Sequence, residues 1–532
     1  MRQANKLAIG LKGLGCGRGD RVGIWAPNCY EWLLTQYATA KIGAIMVNVN
    51  PGYRANELQY ALNLVGCHTL ICSQQFRSSN YCEILDNISP QLLRNQNNSE
   101  GKAIECDKIS SLKNIIVINS GDGETEIAPK HIPRVNDLMA SAGHTDELVD
   151  DPTIQFDDPI NIQFTSGTTG QPKGATLTHH NMIQNAYLTG KRSLEGLEPN
   201  GLTVCVPNPL YHCFGSVLGS LLIALRRATM VLPAPIFNPH KTLEAIDKYK
   251  CHMIYGTPTM FIDMLACDPS KYNTSSLVRG IMSGAPCPPP LLDEIYKRIP
   301  TCTSILIPYG ATESSPVVSH TSVRDSPERR LKSVGRPIEH VEIKIVDPIT
   351  GAVQPVRVSG EVCTRGHCNF MGYYNQPDQS DKVLDKNRWY HTGILFVTKD
   401  YLLNDTRSDI GFMDDSGFLY INGRIKEMII RGGENIYPKE IEDFLMTHPS
   451  VADAQVVGIP DKRLGEEMVA YIKLKTDGAL DTGAVQKYCK GKISHFKIPE
   501  RVVFVTDFPR TVTGKVQKFK LKELAAKQYA HN

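Results

Sequence analysis

From Arg21 the apolar pattern of this chain changes period again and again. "RVGIWAP" reads as a strand, "EWLLTQYATAKIG" as a helix and "AIMVNVN" as a strand. "ANELQYALN" and "HTLICS" repeat the change, and it returns from "LTVCVP" through "SILIPYG", Leu202 to Gly310. Parallel strands need crossovers, so strand-helix alternation predicts doubly wound sheets, here two of them. A polar stretch from about Arg94 to Asp158 separates them and is expected to contain surface loops. Beyond Lys332, "HVEIKIVD" and "SGEVCTRG" are short strands set close together with glycine turns, which predicts a small β-barrel or sandwich. From Glu427 a compact α+β segment runs to the basic helix "KFKLKELAAKQ". The expected fold is therefore α/β with α+β: a large N-terminal part of two doubly wound sheets plus a small β-barrel, then a small C-terminal α+β domain.

Composition narrows the function classes. With 532 residues, 41% hydrophobic and 21% charged, the chain has ample material for a core. A formal net charge of +3 supplies no field for nucleic acid, so no nucleic-acid partner is expected. The 15 cysteines include no C-x-x-C pair and read as free thiols in a reducing compartment. The longest apolar run, Ser216–Leu225, is too short to span a bilayer and predicts a buried helix. Ala4, Leu7, Leu11 and Leu14 repeat at helical spacing directly after Met1, as if the chain began inside an element. No signal-peptide core precedes them, and the acid-free basic residues up to Arg18 make at most a weak targeting segment.

Two stretches carry chemistry. "FTSGTTGQPKG", Phe164 to Gly174, follows the apolar "INIQF". Its glycines let successive backbone N–H groups converge on an anion, Thr165, Ser166, Thr168 and Thr169 add hydroxyls, and Lys173 adds charge. Pro172 before Lys173 excludes a Walker A loop. "YGATESSP", Tyr309 to Pro316, places Glu313 just beyond a strand, where α/β sheets bind ligands and where a carboxylate suits Mg²⁺. By themselves these residues also have ordinary readings. A Gly/Thr linker, a helix-starting glutamate, a core histidine at His212 and a solvated lysine at Lys515 fit the same letters. "GLKGLGCGRGD", Gly10 to Asp20, is glycine-rich but precedes a strand and reads as a turn, and "HHN" at His179–Asn181 reads as a helix start.

The ordered series "TSGTTGQPKG", "PNPLYHCFG", "YGTPTMF", "SGAPCPP", "YGATESSP", "GEVCTRG", "GRIKEMIIRGGENIYPKEIE" and "PRTVTGKVQKFKL" resembles the AMP-forming acyl-CoA synthetases across essentially the whole chain, and the mitochondrial medium-chain members most. The resemblance implies a reaction in which a fatty acid carboxylate attacks ATP to give acyl-AMP and pyrophosphate, and CoA then displaces AMP. It implies ATP, Mg²⁺ and coenzyme A as the small-molecule partners. Carried over, Thr165, Ser166, Gly167, Thr168, Thr169, Gly170, Gln171, Pro172, Lys173 and Gly174 cradle the phosphates. Thr312 and Glu313 serve the α-phosphate, with Thr168 and Glu313 on the metal. Gly284, Ala285, Pro286 and Tyr309 bracket the adenine, Arg424 contacts ATP, and His212 lies beside the acyl carboxylate. Gly432 and Gly433 let the pantetheine arm pass, and Lys515 is the adenylation lysine. Lys426 becomes the hinge between an N-terminal domain, 1–425, and a mobile C-terminal domain, 427–532.

One segment departs from the pattern. The family carries an unbroken H/W-T-G-D whose aspartate grips the ribose, but here His391–Gly393 is followed by Ile394. Removing Ile394–Ser408 restores "WYHTGDIGFMDDSGF", so 394–408 reads as an insertion and Asp409 inherits the ribose role, ahead of Asp400 and Asp405. "ILFVTKDYLL" predicts a short hairpin around Lys399–Asp400, or an exposed apolar loop. The start also lacks the initial strands usual in the family, and so reads as N-terminally truncated. The resemblance implies the mitochondrial matrix; with no clear transit peptide, a chain truly beginning here would be cytoplasmic. Two alternatives stand beside the ligase: a folded variant that binds nucleotide or acyl groups but is catalytically impaired by the insertion, and an adenylating ligase with a non-CoA acceptor.

Overall fold

The computed structural model describes the chain except residues 95–102, 120–125, 144–147, 149–150, 166–171, 199–200, 393–396, 399–400, 403–408, 425–426, 432–433, 462–463, 476–478, 494, 512–513 and 530–532, with backbone alone at 94, 397–398, 401–402, 424, 430 and 434–435. The chain folds into two compact units. The first comprises Met1–Lys241, Gly310–Val317 and Gly366–Leu384; the second comprises Thr242–Tyr309, Val318–Arg365 and Asp385–Asn532.

The first unit is built on a mixed sheet. Strands Pro159–Thr165, Ile45–Asn48, Arg21–Trp25, Thr69–Cys72 and Asn114–Val117 lie side by side in parallel. Lys173–Thr178 and then Gly372–Tyr373 extend one edge in antiparallel sense. The antiparallel turn-back at Thr165 needs no crossover helix, which is why helix-strand alternation alone did not expose it. The Arg2–Gly13 helix buries Ala4, Leu7, Ala8 and Leu11 against Trp32, Leu34, Ala38, Val135 and Leu138. The spacing read from the sequence therefore marks a core face.

The stretch Arg94–Asp158 holds more than surface loops. Asn114–Val117 joins the sheet with Ile115 and Ile116 fully buried, and Val135–Ser141 is a helix of the same core. The strand's three buried apolar residues, Ile115, Ile116 and Val117, are too few to display a period. The apolar run near Ser216 is a buried helix as expected, although Phe214–Leu221 is wound as a π-helix before Leu222–Leu225 resumes α geometry. His179–Ser193 is a helix capped by Thr178, whose hydroxyl accepts the Asn181 N–H.

In the second unit Met253–Gly256, Arg279–Met282 and Ser304–Leu306 are parallel neighbours. The expected barrel strands form a five-stranded sheet in which Gly360–Gly366 pairs with Val341–Val346, Asp409–Met413 and Tyr390–His391. The C-terminal sheet is dominated by the ladder of Val451–Asp461 on Gly465–Leu474, with Arg501–Val505 beside it. Helix Pro438–Leu445 packs Ile441 and Leu445 on its apolar face. The hairpin read in the insertion is present as Val397–Thr398 paired with Tyr401–Leu402, its turn lying outside the described residues.

Gly335 shows how tightly this unit is drawn. It has φ +79, its carbonyl accepts the Leu419 N–H, and a Cβ there would lie 2.1 Å from the His320 carbonyl carbon. Replacing Gly335 with alanine is expected to cost about 2 kcal/mol, from the left-handed backbone and the forced shift of a neighbouring strand. The midpoint of chemical denaturation checks it, and an unchanged midpoint would contradict the packing described.

Candidate active site

Each unit gathers part of the predicted set. In the first, Thr165 and Lys173 face each other as partners at the open end of an antiparallel pair, so the segment between them leaves and re-enters the sheet at one point. Residues Ser166, Gly167, Thr168, Thr169, Gly170 and Gln171 lie outside the described residues. Pro172 leads back into the strand, and Gly174 accepts the Tyr374 N–H through its carbonyl. The Lys173 ammonium is held by Gln379 Oε1 at 3.0 Å and lies 5.2 Å from the centre of the Tyr373 ring.

Tyr373 connects Lys173 to the carboxylate. Its hydroxyl donates to Glu313 Oε1 at 2.8 Å, and Glu313 is buried in the short Thr312–Ser314 turn. The Phe370 N–H donates to the Glu313 carbonyl, fixing the turn from the same segment. Beside it the Cys213 thiol donates to Gln163 Oε1 at 2.9 Å and also hydrogen-bonds the Thr312 side chain. Burial pushes the Cys213 thiol well up, so it stays protonated and serves as a donor. Gln163 completes the network by donating to Ser216 Oγ at 2.9 Å. His212 precedes this cysteine, and its Nδ1 accepts the Phe214 N–H at 3.3 Å. A fixed lysine, a buried carboxylate and a satisfied polar network together form a site able to hold anionic oxygen and a hard cation.

In the second unit Ser283–Pro286 follows strand Arg279–Met282, and Ser283 Oγ donates to the Pro308 carbonyl at 2.8 Å. That bond ties the glycine turn to the strand carrying Tyr309. Gly284 has φ +88, and a Cβ there would lie 3.8 Å from Lys515 Cε, so Lys515 approaches this turn across open backbone. Ala285 and Pro286 continue the turn. Tyr309 donates its phenol to Asp409 Oδ2 at 2.6 Å. The Asp409 N–H donates to Thr392 Oγ1 at 3.2 Å, and Thr392 donates to the Val362 carbonyl at 2.9 Å. Thr392 and Asp409 are thus in hydrogen-bond contact, although 16 residues separate them in sequence. Asp409 also pairs through its backbone with Arg424, whose side chain is outside the described residues, as are Lys426, Gly432 and Gly433.

Three contributors were not singled out from the sequence. Thr392 was signalled by the intact "HTG" but read only as part of a motif. Tyr373 and Gln163 gave no signal, because each meets its partner through tertiary contact alone.

Residues 1–374 match the family described as AMP-binding enzyme, and residues 440–515 match the AMP-binding enzyme C-terminal domain. The chain belongs to the AMP-binding enzyme family. Among its relatives are the mitochondrial medium-chain acyl-CoA ligase ACSF2 of Danio rerio, 43% identical over 99% of this chain and 83% of the relative, and that of Homo sapiens, 42% identical over 98% and 81%. The crystal structure of the anthranilate CoA ligase AuaEII with anthranoyl-AMP superposes with a TM-score of 0.84 at 25% identity, covering 99% of this chain and 92% of that one.

Proposed function

We propose that this protein is an AMP-forming, ATP-dependent acyl-CoA ligase acting on medium-chain fatty acids. The carboxylate oxygen attacks the α-phosphorus of ATP, the bond to the β-phosphate oxygen breaks, and pyrophosphate leaves. The CoA sulfur then attacks the acyl carbon, its proton passes to solvent, and AMP departs with the electron pair of the acyl–oxygen bond.

The observation that carries a working enzyme over an impaired one is the meeting of Thr392 with Asp409 across the insertion. An aspartate aligned by a strand, a threonine hydroxyl and a tyrosine phenol is preorganised for two ribose hydroxyls. Gly284, Ala285, Pro286 and Tyr309 then take the adenine, with Arg424 on the nucleotide. Thr165–Gly174 and Lys173 take the phosphates, Thr312 the α-phosphate, and His212 the edge of the acyl site. Glu313 suits Mg²⁺: it is a buried carboxylate with one oxygen steadied by Tyr373, beside a threonine hydroxyl, an all-oxygen set for a hard ion. Bound there with Thr168, Mg²⁺ would supply charge neutralisation on the phosphate oxygens. Lys515 serves only the first half-reaction, Gly432 and Gly433 line the pantetheine path, and a C-terminal domain from residue 427 turns about Lys426 between the two steps. Among the described residues no helix is long and apolar enough to cross a membrane. The relatives are named as mitochondrial, which supports the same location here.

Acyl-dependent ATP–pyrophosphate exchange with medium-chain acids tests the reading, alongside thioester formation. Exchange and thioester are both expected. Retained ATP binding without exchange would establish the impaired variant instead, and acyl-AMP without thioester would point to another acceptor.

A further inference from the structure

Glu361 and Cys363 are two residues apart on strand Gly360–Gly366 and so project from one face. His391 is the direct partner of Cys363 on the neighbouring strand Tyr390–His391. His391 Nδ1 lies 3.1 Å from Glu361 Oε2 and 3.3 Å from Cys363 Sγ. Among the described residues this is the one group of three ligating side chains whose donor atoms all fall within 4.8 Å of one another. We propose that Glu361, Cys363 and His391 form a binding site for a single zinc-type divalent cation at the base of the 394–408 insertion.

The distances suit the ion. Ligand bonds of about 2.0–2.3 Å in a tetrahedral arrangement put neighbouring donor atoms roughly 3.3–3.6 Å apart, close to what the protein already holds. The donor set selects the metal: a thiolate with an imidazole and one carboxylate favours zinc over magnesium or calcium. Three protein ligands leave a fourth position for water. His391 presents Nδ1 to the cluster, while its Nε2 lies 3.8 Å from Asp385 Oδ2. A metal-bound imidazole whose other nitrogen faces a carboxylate is the usual outer-shell pattern that fixes the ring.

The charges sum favourably too. Glu361 and a deprotonated Cys363 neutralise a dication, and the thiol proton leaves on binding. Lys344, whose ammonium sits 4.3 Å from the Trp389 ring centre, is the nearby cation; it opposes the metal but favours the thiolate and the neutral imidazole. Without a metal, Glu361 raises the His391 pKa by hydrogen bonding, and burial raises that of Cys363. Binding displaces the Cys363 thiol proton, which is released to solvent. Because His391 directly precedes Thr392, the ion would pin the near end of the insertion and the hydroxyl that aligns Asp409.

Chelator-stripped full-length protein is titrated with zinc against a chromophoric chelator and, separately, loaded with cobalt. One tight zinc per chain and a cobalt–thiolate absorption band are expected, with proton release on binding. Cys363→Ser should remove the band and weaken zinc by at least about 100-fold, while Asp385→Asn, with every ligand kept, should weaken it about 10–100-fold. Thermal melting monitors the fold, since Cys363 is buried; His391→Gln gives an independent ligand deletion if the serine variant does not fold. A cobalt band that persists in Cys363→Ser, zinc binding unchanged in His391→Gln, or no band in the unaltered protein would each overturn the site.

Discussion

Lys515→Ala is expected to lower the rate of acyl-AMP formation by about 100–1,000-fold, or about 2.7–4 kcal/mol of transition-state stabilisation. CoA transfer from preformed acyl-AMP should change by less than about threefold. The asymmetry follows from where charge develops. In the first half-reaction negative charge builds on the oxygens around the α-phosphorus, and a delivered ammonium is worth most there. In the second, the phosphorus is not attacked, and charge develops instead on the acyl oxygen and then on the departing phosphate oxygen. The backbone around Lys515 is braced. The Thr511 N–H donates to the Lys515 carbonyl at 2.8 Å, and the carbonyl of Gly514 accepts from Thr259 Oγ1 at 3.2 Å and from Arg510 at 3.3 Å. These bonds tie the backbone around Lys515 to Thr259 and Arg510. Separate assays of the two half-reactions decide the matter: equal loss in both would show that alanine had disturbed the loop rather than removed a charge.

The second large effect is expected at Asp409. Asp409→Ala should raise KM for ATP by about 100-fold, the cost of two charge-assisted bonds to the ribose at about 3 kcal/mol together. Removing Ile394–Ser408 should leave the same KM within about threefold. The two variants probe one idea from opposite sides. Closing a loop of that length costs roughly 2–3 kcal/mol of chain entropy, which a unit of this size absorbs. Misplacing a ligating group by about 1 Å costs on the order of 100-fold in rate, which catalysis does not absorb. Asp409 already pairs through its backbone with Arg424, receives the Tyr309 phenol and donates its N–H to Thr392, so its position is set by neighbours outside the insertion. Steady-state kinetics on both variants checks the pair. A deletion that improves KM more than tenfold would mean that the insertion does displace the aspartate.

How much of this was legible beforehand depended on how local the signal was. The strand-helix changes from Arg21 onward, the helix packed through Leu7 and Leu11, and the cap at Thr178 are short-range patterns, and they carried through to the structure. The run Tyr309–Glu313 was legible because a carboxylate just beyond an apolar strand stands out in composition, and the structure places it there; of the glycine-threonine segment, 166–171 lies outside the described residues. The Asn114–Val117 strand was not, since three buried residues in a polar stretch show no period. Nor was the hydrogen bond of Tyr373 to Glu313, whose partners lie 60 residues apart and are brought together by the turn at Phe370. The Glu361–Cys363–His391 group was hidden for the same reason. Alternation placed the first two on one face, but only strand pairing shows that His391 stands opposite.

The bond between Thr392 and Asp409 has a consequence for how this scaffold accommodates change. Because the two residues sit side by side, what the sheet asks of the intervening chain is that its ends return to one point; its length is free. Such a junction works as a port. Within the insertion, Val397–Thr398 pairs with Tyr401–Leu402, so these residues take their strand partners from the inserted segment itself. The same place would accept a peptide tag, a fluorescent reporter or new chain termini in a permuted version of the protein. Sequence length at this motif and nucleotide chemistry would then vary independently.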